Sequence, residues 1–247
     1  MAFAIEAQPR FRGSWKVHRK TGFSRDMHLS VVSSFDYRGS EYWDLYQRSG
    51  STAFQHPVWL KAMQACLLGP EKADFLTVTG RDEDGVLRLV IPLVCRRKFG
   101  LRLLEMPDFG VTDYSVPTLC PTLATDRDTL LGLGARLTTE LPAHDVLRVS
   151  KVRHDHLPVV SSLFAGNWQH HEFSGHATDA YTDHAQWRRE SLRPSFSKTL
   201  DRKKRSFYKA GEGQLRRLHS SAEIDNAIEF IARIREGRFE SDLLQEA

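Results

Sequence analysis

The 247-residue sequence has only three cysteines, and no two of them form a CxxC pair. Cys66, Cys95 and Cys120 therefore indicate neither a disulfide framework nor a zinc site, and they fit a reducing compartment. No run of about 18 apolar residues is present, which argues against a membrane-spanning helix. The N-terminal region lacks the apolar segment of a secretory signal. We therefore expect a cytoplasmic protein.

The net charge is also small, at +4, which is too little to indicate a nucleic-acid partner. Its distribution is uneven, however. Between Arg193 and Arg217 nine Lys and Arg stand against two Asp and Glu, a local excess of +7 that leaves the rest of the chain at −3. We expect residues 1–27, which carry several basic side chains, to be a flexible lead-in.

Eleven histidines raise the question of a metal site. The adjacent pair His170 and His171 falls in a predicted strand, where neighbouring side chains point to opposite faces and cannot chelate one ion together. No H-x₃-H pattern lies on a predicted helix. We expect surface histidines and no metal.

The periodicity of residues 29–173 predicts a mixed α/β sheet of about six strands with helices on both faces. Asp84-Gly85 is a hairpin signal within it. The predicted strands are Leu29–Phe35, Phe75–Thr79, Val86–Cys95, Leu101–Met106, Asp145–Val149 and Trp168–Phe173, and the predicted helices are Gly39–Arg48, Pro57–Gly69, Asp126–Glu140 and Pro158–Phe164.

A second unit follows a polar connection at 174–183. It is predicted to contain a helix from Pro194 to Tyr208, a strand from Gln214 to Leu218 and a helix over 221–237 that a Ser220–Glu223 capping box begins. A lone strand cannot satisfy its own backbone hydrogen bonds, so this unit is expected to be incomplete. The apolar face of helix 221–237 then lacks partners. We expect either local disorder after about residue 212, or docking of this helix on the first domain, or self-association through it.

Six stretches, in this order and spacing, resemble the CelD/BcsL family of GNAT-type acetyltransferases, which is also described as BioF-like and FemABX-like. They are Thr52–Leu60 (TAFQHPVWL), Gly85 with Ile91–Leu93 (IPL), Asp113–Pro117 (DYSVP), Tyr181 with Trp187, Arg193–Arg205, and Arg238–Gln245 (RFESDLLQ).

The resemblance implies two GNAT-like folds in tandem, of which the second holds acyl-CoA. Residues 28–175 correspond to the first fold, and 176–247 to a linker and the start of the second. The sequence stops at Ala247, before most of that second fold. We therefore expect a C-terminally truncated form that is inactive alone and binds no cofactor.

The resemblance implies an acyl-CoA-dependent N- or O-acetyltransferase related to envelope or exopolysaccharide synthesis. Its cofactor would be acetyl-CoA or another acyl-CoA, and its acceptor a small molecule, a polysaccharide or a peptide. The catalytic residues are unknown. The alternative is a non-catalytic module with a GNAT-like fold that binds a substrate or another protein.

Asp113 and Tyr114 are the first candidate site residues, because they fall on a loop after predicted strands and such loops line clefts in α/β folds. They would face the acceptor as an acid and a phenol. The alternative is structural: Asp113 ties the turn before Pro117, and Tyr114 packs on the sheet.

The basic helix supplies the other candidates, Lys198, Arg202, Lys203 and Arg205. We expect them to border the cleft between the two units and to face an anionic ligand. One alternative is a solvated cationic face over a buried stripe, in which Phe196 and Phe207 belong to the core. Another is contact with a membrane surface or a nucleic acid, which would need the charges to form one continuous exposed patch.

Two further motifs are interpreted structurally. Thr129–Gly134 (TLLGLG) partly matches a pyrophosphate loop, but its glycines fall inside a predicted helix, where the N–H groups are already used. Packing of that helix on the sheet explains them better. His56 is a candidate base, yet a capping or packing role at the start of its helix is favoured.

Overall fold

The computed structural model describes residues 27–170, 181–211, 213–214 and 216–243, with side chains as far as 236. The chain divides into two compact units, Met1–Glu172 and Phe173–Ala247. The predicted basic lead-in lies outside the described residues except for Met27, which is buried.

Unit 1 alternates strands and helices as the sequence predicts. Its strands are β1 (His28–Val32), β2 (Asp74–Arg81), β3 (Leu87–Lys98), β4 (Leu101–Glu105), β5 (Thr118–Leu119) and β6 (Val146–Arg148). Its helices are α1 (Ser40–Arg48), α2 (Pro57–Cys66), α3 (Leu68–Glu71), α4 (Pro121–Ala124), α5 (Arg127–Glu140) and α6 (Leu157–Leu163), with a 3₁₀ turn at Ala53–Gln55 before α2.

The six strands form one mixed sheet in the order β1-β2-β3-β4-β6, with β5 paired to β3. The pairs from β1 to β4 and the β3–β5 pair are antiparallel, whereas β4 and β6 are parallel. The predicted mixed α/β class is confirmed. One strand differs: residues 168–170 of the predicted Trp168–Phe173 strand are not in a strand, and the others lie outside the described residues.

The sheet is covered on both faces. Leu89, Val90 and Ile91 are consecutive in β3 and fully buried, although successive strand side chains point to opposite faces. Tyr42 of α1 reaches Thr118 on one face at 3.2 Å. On the other face, Arg136 of α5 donates a hydrogen bond to the carbonyl of Met27. The Met27 side chain packs against Gly80 of β2, next to Leu89 of β3.

Unit 2 contains three helices in its described part: α7 (His184–Ser191), α8 (Pro194–Lys209) and α9 (Ser221–Leu243). The predicted capping box is present, because Ser220 and Glu223 exchange hydrogen bonds at the start of α9. The predicted strand Gln214–Leu218 is wrong: its described residues are irregular. An isolated strand has no partner for its backbone hydrogen bonds, and the described residues of 214–218 do not form one.

One other prediction for unit 2 is wrong, and one helix lies where none is predicted. Helix α7 begins directly after the predicted connection at 174–183, and Asp183 begins it by accepting hydrogen bonds from the N–H groups of Ala185 and Gln186. Phe196 and Phe207 are not in a core, since they are 52% and 55% exposed. Among the helices described, none combines the length and the apolar character needed to cross a bilayer.

Candidate functional site

The carboxyl ends of the parallel strands β4 and β6 lie side by side, with Glu105 in register with Arg148. The chain leaves both strands here through the loops 106–117 and 149–156. In open α/β sheets, ligands bind outside the carboxyl ends of the strands, where such loops form a crevice. We call these two loops the loop cluster.

A buried carboxylate holds the base of the loop cluster. The side chain of Glu105 is 4% exposed and forms ion pairs with Arg96 of β3 at 2.7 Å and with Arg148 of β6 at 2.5 Å. Arg96 also pairs with Glu71 at the end of α3. The ends of three strands and one helix are therefore linked below the loops.

Lysine 151 joins the two loops. Lys151 Nζ donates to Asp108 Oδ1 at 2.8 Å and to the Thr112 carbonyl at 2.7 Å, and its own carbonyl accepts from the N–H of Ser115. Lys151 and Phe109 both have positive φ angles, 57° and 48°. Such conformations are costly for residues with side chains, and they cluster where a ligand site is held in shape.

Asp113 and Tyr114 lie on the loop cluster, as the site hypothesis requires. Asp113 is exposed, and its carboxylate has no hydrogen bond or ion pair with any residue that the structure describes. It therefore does not tie the turn; the bond between Lys151 and Asp108 does so instead. The half-buried ring of Tyr114 packs against Phe54 and lies under the Arg153 guanidinium, 5.8 Å from it.

Residues 50–59 form a further wall of the site. Gln55 Nε2 donates to the Tyr114 carbonyl at 3.0 Å, and the ring of Phe54 bridges Tyr114 and Trp59. His156, at the start of α6, hydrogen bonds with the backbone of Gly50.

This region holds most of the buried polar atoms that have no hydrogen-bond partner among the described residues. Four of the six lie in it: Ser51 Oγ, Trp59 Nε1, Thr112 Oγ1 and His156 Nδ1. Burial lowers the pKa of His156 below its ordinary value, so its imidazole is neutral near pH 7. Buried polar atoms normally have partners, so these four enclosed atoms are suited to ordered water molecules.

The other candidates, Lys198, Arg202, Lys203 and Arg205, lie on α8 in unit 2, and all four are exposed. The only acidic residue of α8, Asp201, is bound by Arg188 of α7 at 2.9 Å, and this hydrogen bond lowers its pKa. The cationic face of α8 is therefore not neutralised from within its own helix.

The glycine-rich segment has a packing role. Gly134 of α5 lies so close to α6 that a Cβ there would meet the Ser162 carbonyl oxygen at 2.5 Å. The predicted packing on the sheet is wrong for this residue, since Gly134 packs against a helix instead. No neighbour crowds Gly132 in the same way.

His56 caps α2, since its Nδ1 accepts from the N–H of Val58 at 3.2 Å, and its ring packs on Trp43 and Tyr46. The expected capping and packing roles are confirmed. The part of the chain that the structure describes contains no group of three His, Cys, Asp or Glu residues able to hold a metal ion.

Sequence reasoning missed Lys151, Arg153 and His156 as parts of this site and assigned Trp59 no role in it. The first three lie on the loop 149–156, which carries no motif, and only the parallel pairing of β4 with β6 brings that loop to residues 106–117. The available signals were the loop-like composition of residues 108–117 and the Thr52–Leu60 stretch, which contains Trp59. Comparison with family models, with curated proteins and with solved structures found no match for this chain.

Proposed function

We propose that this chain belongs to an acyl-CoA-dependent N- or O-acyltransferase of the GNAT type, related to the CelD/BcsL family, and that the loop cluster binds the acceptor. The observation that carries the proposal is the position of the free Asp113 carboxylate and Tyr114 at the carboxyl ends of β4 and β6. The mixed sheet with helices on both faces is also the fold that the resemblance implies.

The chemistry of the loop cluster fits an acceptor that carries amines or hydroxyls. Asp113 accepts hydrogen bonds, and Tyr114 both donates and accepts. The Arg153 guanidinium beside them is already paired with Asp155. Sugars and peptides present such groups. In direct acyl transfer the acceptor attacks the thioester, which requires a base or a water chain and a donor to the developing oxyanion, but no covalent residue. No catalytic role is assigned to a residue of this chain.

Acyl-CoA is proposed to bind outside the described residues. The segment that partly matches a pyrophosphate loop lies within α5, and Gly134 is pressed against α6, so its backbone is closed to a diphosphate. The cofactor, acetyl-CoA or another acyl-CoA, would then be held by residues other than those described. The three free cysteines are consistent with a reducing, cytoplasmic setting.

One observation favours a non-catalytic binding module as a second candidate. On the loop cluster the Asp113 carboxylate is exposed and the ring of Tyr114 is half-buried. Such a surface suits a polymer better than a small molecule, whether or not chemistry follows.

Calorimetry with acetyl-CoA tests the cofactor part of the proposal. This chain alone is expected to bind more weakly than ~100 μM, or roughly −5.5 kcal/mol. Tighter binding would show that the cofactor site lies within these residues.

The acceptor part needs a separate test. Ligand-detected NMR with amine- and hydroxyl-bearing oligosaccharides and peptides is expected to find a binder whose affinity falls at least about tenfold in Asp113→Asn. Asp84→Asn, at an exposed hairpin turn, is the matched control and should leave binding unchanged. Release of the CoA thiol in a mixture of the protein, acetyl-CoA and that acceptor distinguishes an enzyme from a module. Equal binding by Asp113→Asn and by the parent protein would remove the loop cluster as the acceptor site.

A further inference from the structure

Helix α8 has an unusual charge composition for an exposed helix. It carries six basic residues and one acid, Asp201. That acid is already bound by Arg188 of α7. Natural helices usually intersperse charges of both signs, because pairs spaced i,i+4 stabilise them. The excess positive charge therefore needs a partner outside the helix.

The same helix carries an exposed apolar stripe. Phe196, Leu200 and Phe207 follow one another at i, i+4 and i+11, which places them on one side of the helix. Phe196 is 52% exposed and Phe207 55% exposed, although Gly213 touches the edge of the Phe207 ring. Leu200 is half-buried.

The basic residues fall into two groups around this stripe. Lys203 and Lys204 lie within about 60° of its centre, one on each side. The remaining four lie on the opposite side of the helix, and all are exposed: Lys198, Arg202, Arg205 and Lys209.

We infer that α8 binds in the plane of a lipid bilayer that carries anionic headgroups. The stripe of Phe196, Leu200 and Phe207 would enter the boundary between headgroups and acyl chains. Lys203 and Lys204 would extend to the phosphates, since lysine stems lie along apolar surface while their ammonium groups stay in the polar layer. A strong apolar stripe, low overall hydrophobicity and a basic polar face are the features of helices that lie in membrane interfaces. The cytoplasmic leaflet, which is anionic, supplies the complementary charge.

The geometry disfavours the two main rivals. A protein that binds single-stranded nucleic acid pairs its cations with aromatic rings on the same surface, so that bases stack while phosphates are bound. On α8, four of the six basic residues lie on the side of the helix opposite Phe196 and Phe207. They are Lys198, Arg202, Arg205 and Lys209. Pairing of α8 with α8 of a second copy would bring two sets of six cations together, and their repulsion opposes it.

Vesicle co-sedimentation of the full chain tests the inference. The chain is expected to bind vesicles of phosphatidylcholine that contain roughly 30 mol% phosphatidylglycerol and to bind phosphatidylcholine vesicles only weakly. High salt is expected to abolish the binding to the anionic vesicles. Phe196→Ser with Phe207→Ser is expected to weaken binding to the anionic vesicles at least about tenfold, because two apolar anchors are lost.

Charge reversals on the two sides of α8 give a matched pair of variants. Lys203→Glu with Lys204→Glu and Lys198→Glu with Arg205→Glu change the net charge equally. The first is expected to weaken vesicle binding at least about fivefold more than the second, because its charges lie nearer the headgroups. The control is Lys61→Glu with Arg127→Glu, at exposed positions of unit 1. Its affinity for the anionic vesicles should stay within about twofold of that of the parent protein, because these charges act on the bilayer only at long range. Circular dichroism checks that each variant is folded.

Four results would overturn the inference. The first is no binding to either kind of vesicle. The second is binding that survives the loss of both phenylalanines. The third is the reverse order of the two charge variants together with equal binding to a DNA duplex, which would identify a polyanion site on the Lys198 side. Competition by inorganic phosphate at millimolar concentration would likewise show that a free anion, and not a bilayer, is the ligand.

Discussion

Arg96 Nη2 lies 2.7 Å from Glu105 Oε1, and the Glu105 side chain is only 4% exposed. Removing one partner of a buried pair leaves an uncompensated charge and costs about 3–5 kcal/mol. Because Arg148 remains beside Glu105 and is half-exposed, we expect Arg96→Met to lower the free energy of unfolding by about 3 kcal/mol, the low end of that range.

Urea unfolding measures this effect. The control is Arg81→Met, which breaks an exposed pair with Glu41 and should cost no more than about 1 kcal/mol. Equal losses in the two variants would mean that Glu105 is solvated and does not hold the base of the loop cluster.

Gly134 and Gly132 offer a test of packing within one helix. A Cβ at 134 would lie 2.5 Å from the Ser162 carbonyl oxygen and 2.8 Å from that of Leu163, and backbone cannot move aside cheaply. Gly134→Ala should therefore destabilise unit 1 by about 1–3 kcal/mol. Gly132→Ala meets nothing within 4 Å and should stabilise it by up to about 1 kcal/mol, since alanine is the better helix former. Thermal unfolding measures both effects. If the two variants shift the melting temperature in the same direction, the close contact of Gly134 with α6 is contradicted.

Tyr42 links α1 to the sheet and should control stability at high pH. Its hydroxyl donates to the Gln55 carbonyl at 2.6 Å, and burial raises its pKa above the ordinary value near 10. Because the Tyr42 pKa is higher in the folded than in the unfolded state, the free energy that this group contributes to folding is fully present below the unfolded pKa. That contribution is lost as the pH rises through the unfolded pKa towards the folded one.

Tyr42→Phe is expected to lower the free energy of unfolding at pH 7 by about 1–2 kcal/mol, because it leaves the Gln55 carbonyl without its donor. Above pH 10 the variant should lose stability less steeply than the parent protein. Tyr208→Phe, at an exposed ring, is the control and should match the parent at both pH values. Parallel alkaline curves for all three proteins would show that Tyr42 does not carry the effect.

Much of unit 1 could be predicted because its signals are local. The hairpin of β2 and β3 is marked by Asp84 and by Gly85, whose φ of +76° suits the turn. Asp126 caps α5 as its position indicates, by accepting from the N–H of Thr129. Such features depend on a few neighbouring residues, and the sequence displays all of them.

The remainder depends on tertiary contacts. Strand β5 has only two residues, Thr118 and Leu119, and exists because β3 offers it an edge. Lys151 and Thr112 are 39 positions apart and carry no shared motif, yet they bond across the loop cluster. Phe196 and Phe207 show the converse case, since a helical stripe predicts burial whether or not a partner is present.

The apolar face of α9 leads to the last prediction. Ile224, Ile228 and Ile231 recur at i, i+4 and i+7, and they are 42%, 59% and 56% exposed. Burial of such a side chain stabilises by about 1.5–3 kcal/mol, so contact with the same face of a second copy is favoured. We expect concentration-dependent dimers in sedimentation equilibrium, and slower amide exchange in α9 at high protein concentration than at low.

Ile228→Ser with Ile231→Ser should abolish the dimer, because it removes the centre of this face. Val58→Ser with Leu131→Ser removes two similarly exposed side chains from unit 1 and should leave it intact. Comparison of the two variants distinguishes a specific contact through α9 from non-specific association of exposed apolar side chains. A monomer at every concentration, with slow exchange throughout 221–236, would instead show that α9 is covered within its own chain, and the proposed self-association would be wrong.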